Sequence, residues 1–149
     1  MQLTLHADYA FRVLIYLASH PDNPVISTEE ISRSYGISRH HLARVVQTLS
    51  EHGYVKLTPG RSGGISLARE AHLVGLGDVL RHVEPNLRIV ECFDVKTNTC
   101  PIINVCDLKS VLGEALNAFV TTLDQYTLED LLRGRRRTAL AKVFTKKHL

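Results

Sequence analysis

Residues 27–52 read Ser-Thr-Glu-Glu-Ile-Ser-Arg-Ser-Tyr-Gly-Ile-Ser-Arg-His-His-Leu-Ala-Arg-Val-Val-Gln-Thr-Leu-Ser-Glu-His. Ser27 stands three residues before Glu30, the spacing of a capping box, and predicts a short helix through Ile31 to Tyr35. Gly36 ends it. Ser38 is a good N-cap for a second helix from Arg39 to about His52, whose Leu42, Val45, Val46 and Leu49 fall on one apolar stripe. Two helices joined by a tight glycine-containing turn, the second opening on basic and polar residues, make the pattern of a helix-turn-helix. Arg39, His40, His41, Arg44 and Gln47 are then the side chains available to base edges and phosphates. On this stretch alone, a helical hairpin with a solvated basic face accounts for the residues equally well.

The flanks decide between the two. Downstream, Tyr54-Val55-Lys56-Leu57-Thr58 and Ile65-Ser66-Leu67-Ala68 alternate as short strands around Pro59-Gly60-Arg61-Ser62-Gly63-Gly64, which predicts a β-hairpin. A hairpin after a helix-turn-helix is a wing. Arg61 and Ser62 at its tip, among glycines that let backbone approach closely, suit contact beside phosphates or in a minor groove. Upstream, Ala10, Phe11, Leu14, Ile15, Leu17 and Ala18 recur at helical spacing between Ala7 and Ala18. Asp8 and Arg12 lie four apart on that helix, close enough for a surface ion pair. The predicted fold is therefore mainly α with a small β-hairpin wing: a winged helix-turn-helix DNA-binding domain over residues 1–70.

Beyond the wing, residues 71–91 hold a connecting helix, Leu76 to Glu84, closed by Pro85. Residues 92–106 form a loop containing all three cysteines of the chain. From Leu108 the positions Leu108, Val111, Leu112, Ala115, Leu116, Phe119, Val120 and Leu123 step by three and four. That stripe is wider than the remaining core of a small domain covers, so a long C-terminal dimerisation helix that pairs with its copy is expected. Packing within its own chain is the alternative. A last short helix is expected to start at Thr127-Leu128-Glu129-Asp130, completing a segment 107–132, and residues 133–149 read as a basic tail, frayed and solvated, with weak phosphate contact as the alternative.

Charge is divided along the chain. Residues 1–70 carry 7 Lys/Arg against 6 Asp/Glu, residues 71–132 carry 4 against 9, and residues 133–149 carry 7 against none. A local basic face on a near-neutral protein gains weight as a nucleic-acid signal because it falls on the predicted recognition helix. No apolar run has the length of a membrane span and the N-terminus lacks the order of a signal peptide, so a cytoplasmic protein with no membrane partner is expected. There is no phosphate-binding glycine loop and no nucleophile–base constellation, which argues against an enzyme.

Seven residues separate Cys92 from Cys100 and five separate Cys100 from Cys106. Asp94, Lys96, Asn98, Thr99 and Pro101 mark the segment as a loop, which can fold three sulfurs around one centre. Thiolates are soft ligands that select zinc, copper(I) or iron–sulfur clusters, and an odd number of them points away from a disulfide framework. The tight paired spacing of zinc sites is absent. Three free thiols, or one disulfide with a spare, remain as the plain alternatives.

Together these residues carry a family likeness. Asp8-Tyr9-Ala10-Phe11-Arg12, Gly60-Arg61-Ser62-Gly63-Gly64-Ile65, Leu76-Gly77-Asp78-Val79 and Val90-Glu91-Cys92 with Cys100 and Cys106 resemble the IscR-like family of iron–sulfur winged-helix regulators, and within it the nitric-oxide-sensing repressors. The likeness covers residues 1 to about 132. It implies a homodimer that holds one [4Fe-4S] cluster per subunit, binds a palindromic double-stranded DNA operator, and lets go when nitric oxide attacks the cluster. Cys92, Cys100 and Cys106 carry over as ligands. Relatives with a [2Fe-2S] centre have a histidine shortly after the third cysteine; here Asp107, Leu108 and Lys109 follow Cys106. The resemblance supplies Asp8 instead, from the other subunit, with Arg12 beside it. An IscR-like sensor of iron–sulfur or redox status is the alternative function. Ser62 departs from a run that is often all glycine, and the tail after Arg133 matches nothing in the family pattern.

Overall fold

The computed structural model describes residues 2–23, 25–60 and 62–146. The first helix, α1 (Leu5–Ser19), opens on Thr4, whose hydroxyl accepts the Ala7 N–H at 3.2 Å. Ala7, Ala10, Val13, Leu14, Tyr16, Leu17 and Ala18 are all buried, so α1 is covered on most of its circumference and forms the axis of the molecule. The helix-turn-helix packs against it as α2 (Thr28–Tyr35) and α3 (Arg39–Glu51). Both N-caps expected from sequence are formed: Ser27 accepts from Glu30 N–H at 3.1 Å, and Ser38 from His41 N–H at 3.3 Å. Gly36 takes the left-handed conformation (φ 68°) that the turn requires. Buried Ser32 then closes the turn from inside, its hydroxyl donating to Ile37 O at 2.6 Å while Ile37 N–H donates to Ser32 O at 3.0 Å.

The wing consists of β1 (Val55–Thr58) and β2 (Gly64–Leu67), antiparallel, with Val55 opposite Leu67 and Thr58 opposite Gly64. Ile26 pairs with Ile65 in both directions, at 2.9 and 2.8 Å, which anchors the hairpin to the segment leading into α2. Val55 and Ile65 face the core; Lys56 and Leu57 face solvent. Arg61 lies outside the described residues.

Two further helices follow, α4 (Leu76–Val83) and α5 (Leu108–Asp124). Arg81 on α4 grips Asp124 at the end of α5 with two bonds of 2.7 and 2.6 Å. The approach is close enough that a Cβ on Gly77 would stand 1.8 Å from Asp124 Oδ1. Backbone bonds from Leu76 N–H to Tyr126 O (2.9 Å) and from Leu128 N–H to Val74 O (2.8 Å) continue the join. At the other end of α4, Glu84 accepts both the N–H and the hydroxyl of Thr4 at 3.1 Å, tying α4 to the start of α1.

The C-terminal part differs from the sequence expectation. The last short helix is a 3-10 turn over Glu129–Leu132, and its Leu132, with Leu128 before it, is buried in the same core as α1. Residues 135–146 of the tail form a helix, α6 (Arg135–Lys146), that folds back onto α1. The physical reason is Phe144, buried against the rings of Tyr16 at 4.6 Å and Tyr35 at 5.2 Å. Residues 147–149 lie outside the described residues.

The α4–α5 join is directly testable. Gly77→Ala forces the Asp124 carboxylate off Arg81 and is expected to cost about 1–3 kcal/mol in urea unfolding, as overpacking does. Adding Asp124→Asn to that variant should cost little more, because the contact is already lost. The Arg81 hydrogen bonds also hold the Asp124 carboxyl below the ordinary carboxylate range. The stabilisation from this bridge is thus full above about pH 4, the unfolded value, and disappears as pH falls through the depressed one.

Candidate functional site

The exposed face of α3 carries Arg39, His40, His41, Arg44 and Gln47, while Leu42, Val45, Val46 and Leu49 point into the core. Capping at Ser38 sets this division, since it fixes where the 3.6-residue period begins. The first turn of α3 contains no acidic side chain, which leaves the positive end of the helix dipole uncompensated toward an anion. Arg39 is not loose: Glu29 on α2 accepts its guanidinium at 2.8 Å and also accepts Arg33 Nε at 3.0 Å. Gln47 donates to Glu51 at 2.9 Å. Ser62 is exposed beside the turn that Gly63 N–H closes on Gly60 O at 3.0 Å. Arg69, which sequence reading did not single out, donates to Gly53 O at 3.0 Å and His52 O at 3.2 Å, satisfying carbonyls at the end of α3.

Behind this face, a cavity of about 220 Å3 lies between α1 and α3, lined by Leu5, His6, Tyr9, His41, Arg44 and Val45. One turn along α1 from its wall, Asp8 pairs with Arg12 at 2.7 and 3.2 Å. Arg12 also sits over the rings of Tyr9 (5.6 Å) and Tyr35 (5.8 Å), so its pose is set by aromatic faces as well as by charge. Burial pushes the Tyr35 hydroxyl up to about 12, which keeps that ring neutral. Phe144 backs Tyr35 in turn. Asp8 is therefore held by a chain of contacts that reaches the C-terminal helix.

The cysteine loop follows the C-terminal end of α4, the end that Glu84 ties to Thr4. Cys92 sits in a 3-10 turn over Glu91–Phe93, Cys100 donates its N–H to Asn98 at 3.2 Å, and Cys106 stands one residue before Asp107, which caps α5. All three thiols are free and half-exposed. The carboxylates of the loop are committed elsewhere. Glu91 accepts the N–H and hydroxyl of Thr99 at 2.6 and 2.7 Å, and these bonds hold its carboxyl below the usual range. Asp94 is lowered likewise, first by the Lys96 N–H and also by paired Arg88. Among the described residues no three of His, Cys, Asp and Glu lie close enough together to hold a metal ion. A single chain thus does not gather the three sulfurs with Asp8. In donor chemistry the loop still suits a soft metal centre: three unbridged thiols, with the Glu91 and Asp94 carboxylates both engaged by hydrogen bonds.

Residues 3–134 match the Rrf2 family, described as an iron-dependent transcriptional regulator. The chain belongs to the Rrf2 family. It is 43% identical over 135 residues to the HTH-type transcriptional regulator NsrR of Bacillus licheniformis, covering 91% of this chain and 94% of that one. With NsrR of Halalkalibacterium halodurans the identity is 45% over 132 residues, 89% and 90% of the two chains. Among solved structures, IscR of T. potens superposes with a TM-score of 0.71 at 27% identity, over 89% of this chain and 87% of that one. CymR of Bacillus subtilis, the global cysteine regulator, gives 0.70 at 26%, over 88% and 95%. The winged-helix expectation is confirmed, and with it the reading of this Rrf2 member as a DNA-binding transcriptional regulator and not an enzyme. No helix among the described residues is long and apolar enough to cross a membrane.

The Thr99–Glu91 staple was not visible in the sequence, where Thr99 was one loop marker among several. It bears on thiol access. Thr99→Val removes the hydroxyl bond and is expected to speed labelling of Cys100 by a maleimide several-fold without altering the far-ultraviolet circular dichroism. Equal labelling rates in both proteins would show that the staple does not order the loop.

Proposed function

We propose that the chain is the subunit of a homodimeric transcriptional repressor that holds a palindromic operator while an iron–sulfur cluster, [4Fe-4S] and one per subunit, is intact, and releases it when nitric oxide attacks that cluster. The observation that carries this reading is the juxtaposition of three uncommitted thiols with the helix that follows them. Of the 17 residues of α5 only Val120 is buried, and Leu108 and Val111 are 57% and 58% exposed. A long apolar face left open beside a metal-ready loop is what a dimer with a cluster near its seam requires. The identity to NsrR proteins over nine-tenths of the chain supports the same reading.

Cys92, Cys100 and Cys106 would hold the cluster, with Asp8 from α1 of the other subunit as fourth ligand and Arg12 fixing that carboxylate. The cluster, when bound, supplies the iron with which nitric oxide reacts. Asp8 is a harder and weaker ligand for iron than a thiolate, which gives the set one labile corner. Its place on α1 is what matters for DNA. α1 is buried against α3, so a tie between Asp8 and the loop of the other subunit constrains both recognition helices. Half-sites are met about one helical turn apart, or a multiple of it, so a dimer with that tie loosened holds its operator less well. The alternative, an IscR-like sensor of iron–sulfur or redox status with a [2Fe-2S] centre, is favoured by the likeness to IscR of T. potens, and lacks the histidine after Cys106.

One anaerobic preparation, split into cluster-loaded, nitric-oxide-treated and metal-stripped portions with iron and sulfide assayed in each, tests this by operator titration. Tight binding by the loaded portion alone, abolished by nitric oxide more readily than by peroxide, is the expected result. Equal binding by all three portions would detach the cysteine loop from DNA control. In the same assay Asp8→Ala should retain some cluster yet lose about 10-fold or more of the difference between loaded and stripped protein, the size of one modest coupling free energy. An unchanged difference removes Asp8 from the ligand set.

A further inference from the structure

The family match ends at residue 134, and α6 begins at Arg135. This helix carries Arg135, Arg136, Arg137, Lys142 and Lys146, with no acidic residue in its 12 positions. One side of it is committed to the protein: Phe144 is buried between Tyr16, Tyr35 and His20, and Leu140 packs on the same core. The other side is cationic. Arg135 and Lys142 are seven residues apart, two helical turns along one stripe, and both are exposed together with Arg136. Among the described residues none of these three makes an ion pair, whereas Arg133 just before the helix pairs with Asp130.

We propose that α6 is an accessory DNA-contacting element, its exposed cations lying along phosphates that flank each half-site while Phe144 clips the helix to the helix-turn-helix. The placement favours DNA over other anionic partners. Tyr35, on which Phe144 rests, immediately precedes the Gly36 turn into α3, so the far end of α6 abuts the motif whose first helix crosses the DNA backbone. The other polyanionic surface in reach is residues 71–132 of a second copy, with 9 acidic against 4 basic residues. The aromatic anchor, however, is on α1 and α2, so the C-terminal half of α6 is held to the DNA-binding domain, while its start packs beside the Glu129–Leu132 turn. Contacts of this kind carry no base specificity; they add affinity and salt dependence for any duplex.

The test is a set of anisotropy titrations of the full chain against an operator duplex and an unrelated duplex over a range of salt. The combined variant Arg135→Gln, Arg136→Gln, Lys142→Gln should weaken binding to both duplexes by a similar factor, about 10-fold or more. It should also reduce the slope of log K against log salt by up to about 5, as expected for up to three lost phosphate contacts from each subunit of a dimer. Phe144→Ala, which keeps every charge and frees the helix, should lower affinity for both duplexes in the same direction. Repeating the unrelated-duplex arm on metal-stripped protein separates this inference from the proposed sensing function, which makes no demand there. Unchanged affinity and slope in the combined variant overturn the proposal. So does a loss confined to the dimerisation constant in sedimentation, the result expected if α6 instead meets the acidic stretch of a second copy.

Discussion

Ala7, Ala10, Val13, Leu14 and Leu17 leave α1 little face to give to solvent, and that shortage governs how the rest of the chain is placed. Small residues at 7 and 10 let neighbours approach, while Val13, Leu14, Tyr16 and Leu17 fill the space between α3, the wing and the returning C-terminal segment. A helix buried on so many sides cannot rotate or shift by itself without opening packed contacts, each large side chain worth about 1.5–3 kcal/mol of burial. A force applied to α1 is therefore felt at α3. Among the parts of α1 that stay within reach of another molecule, the half-exposed strip of Asp8, Tyr9 and Arg12 is where charged groups are concentrated.

That strip is organised by aromatic faces as much as by charge. An exposed ion pair such as Asp8–Arg12 contributes little to stability alone, about 0–1 kcal/mol, so its persistence needs another source. Tyr9 and Tyr35 supply it by flanking the guanidinium, and the burial that holds Tyr35 neutral also fixes its ring. Asp8 is in consequence a carboxylate with a set direction before any partner arrives. In the proposed dimer this preorganisation lowers the cost of recruiting a weak oxygen ligand, which flexible surface aspartates would pay in lost rotamer freedom.

Much of the fold was legible because its signals are local. Ser27, Gly36 and Ser38 act within four residues of themselves, and the alternation around Gly60–Gly64 needs only its own two strands, so the helix-turn-helix and wing appear where the sequence places them. The Arg81–Asp124 grip and the Thr99–Glu91 staple join residues that sequence spacing does not relate, and neither leaves a periodic trace. The tail was misread for a different reason. Its seven cations dominate the composition, whereas its docking rests chiefly on a single aromatic, Phe144, whose partners Tyr16 and Tyr35 belong to helices about 110 to 130 positions earlier. The cysteine loop stands between these cases. Its residue types and spacing announce a soft-metal site, yet a single chain leaves the three sulfurs apart, so the geometry of any such site is a property of more than one chain's worth of information.

The distribution of buried surface says where a signal can travel. α5 offers an open apolar face and meets the rest of the chain at its C-terminal end, through Arg81–Asp124 and the backbone bonds at Val74, Leu76, Tyr126 and Leu128, and in its middle, where Leu116 and Phe119 line a cavity with Gln2, Leu3 and Thr4. Its N-terminal end, next to Cys106, touches that core hardly at all. Along its own chain a change at the thiols can reach α1 through the segment between Cys92 and Glu84, whose carboxylate holds Thr4 at the start of α1. In the proposed dimer a further route would be one ligand long, from the loop of one subunit to Asp8 on α1 of the other. Intermolecular ligation would thus add a second path to that intrachain link, and the stiff packing of α1 against α3 would carry it to the recognition helix.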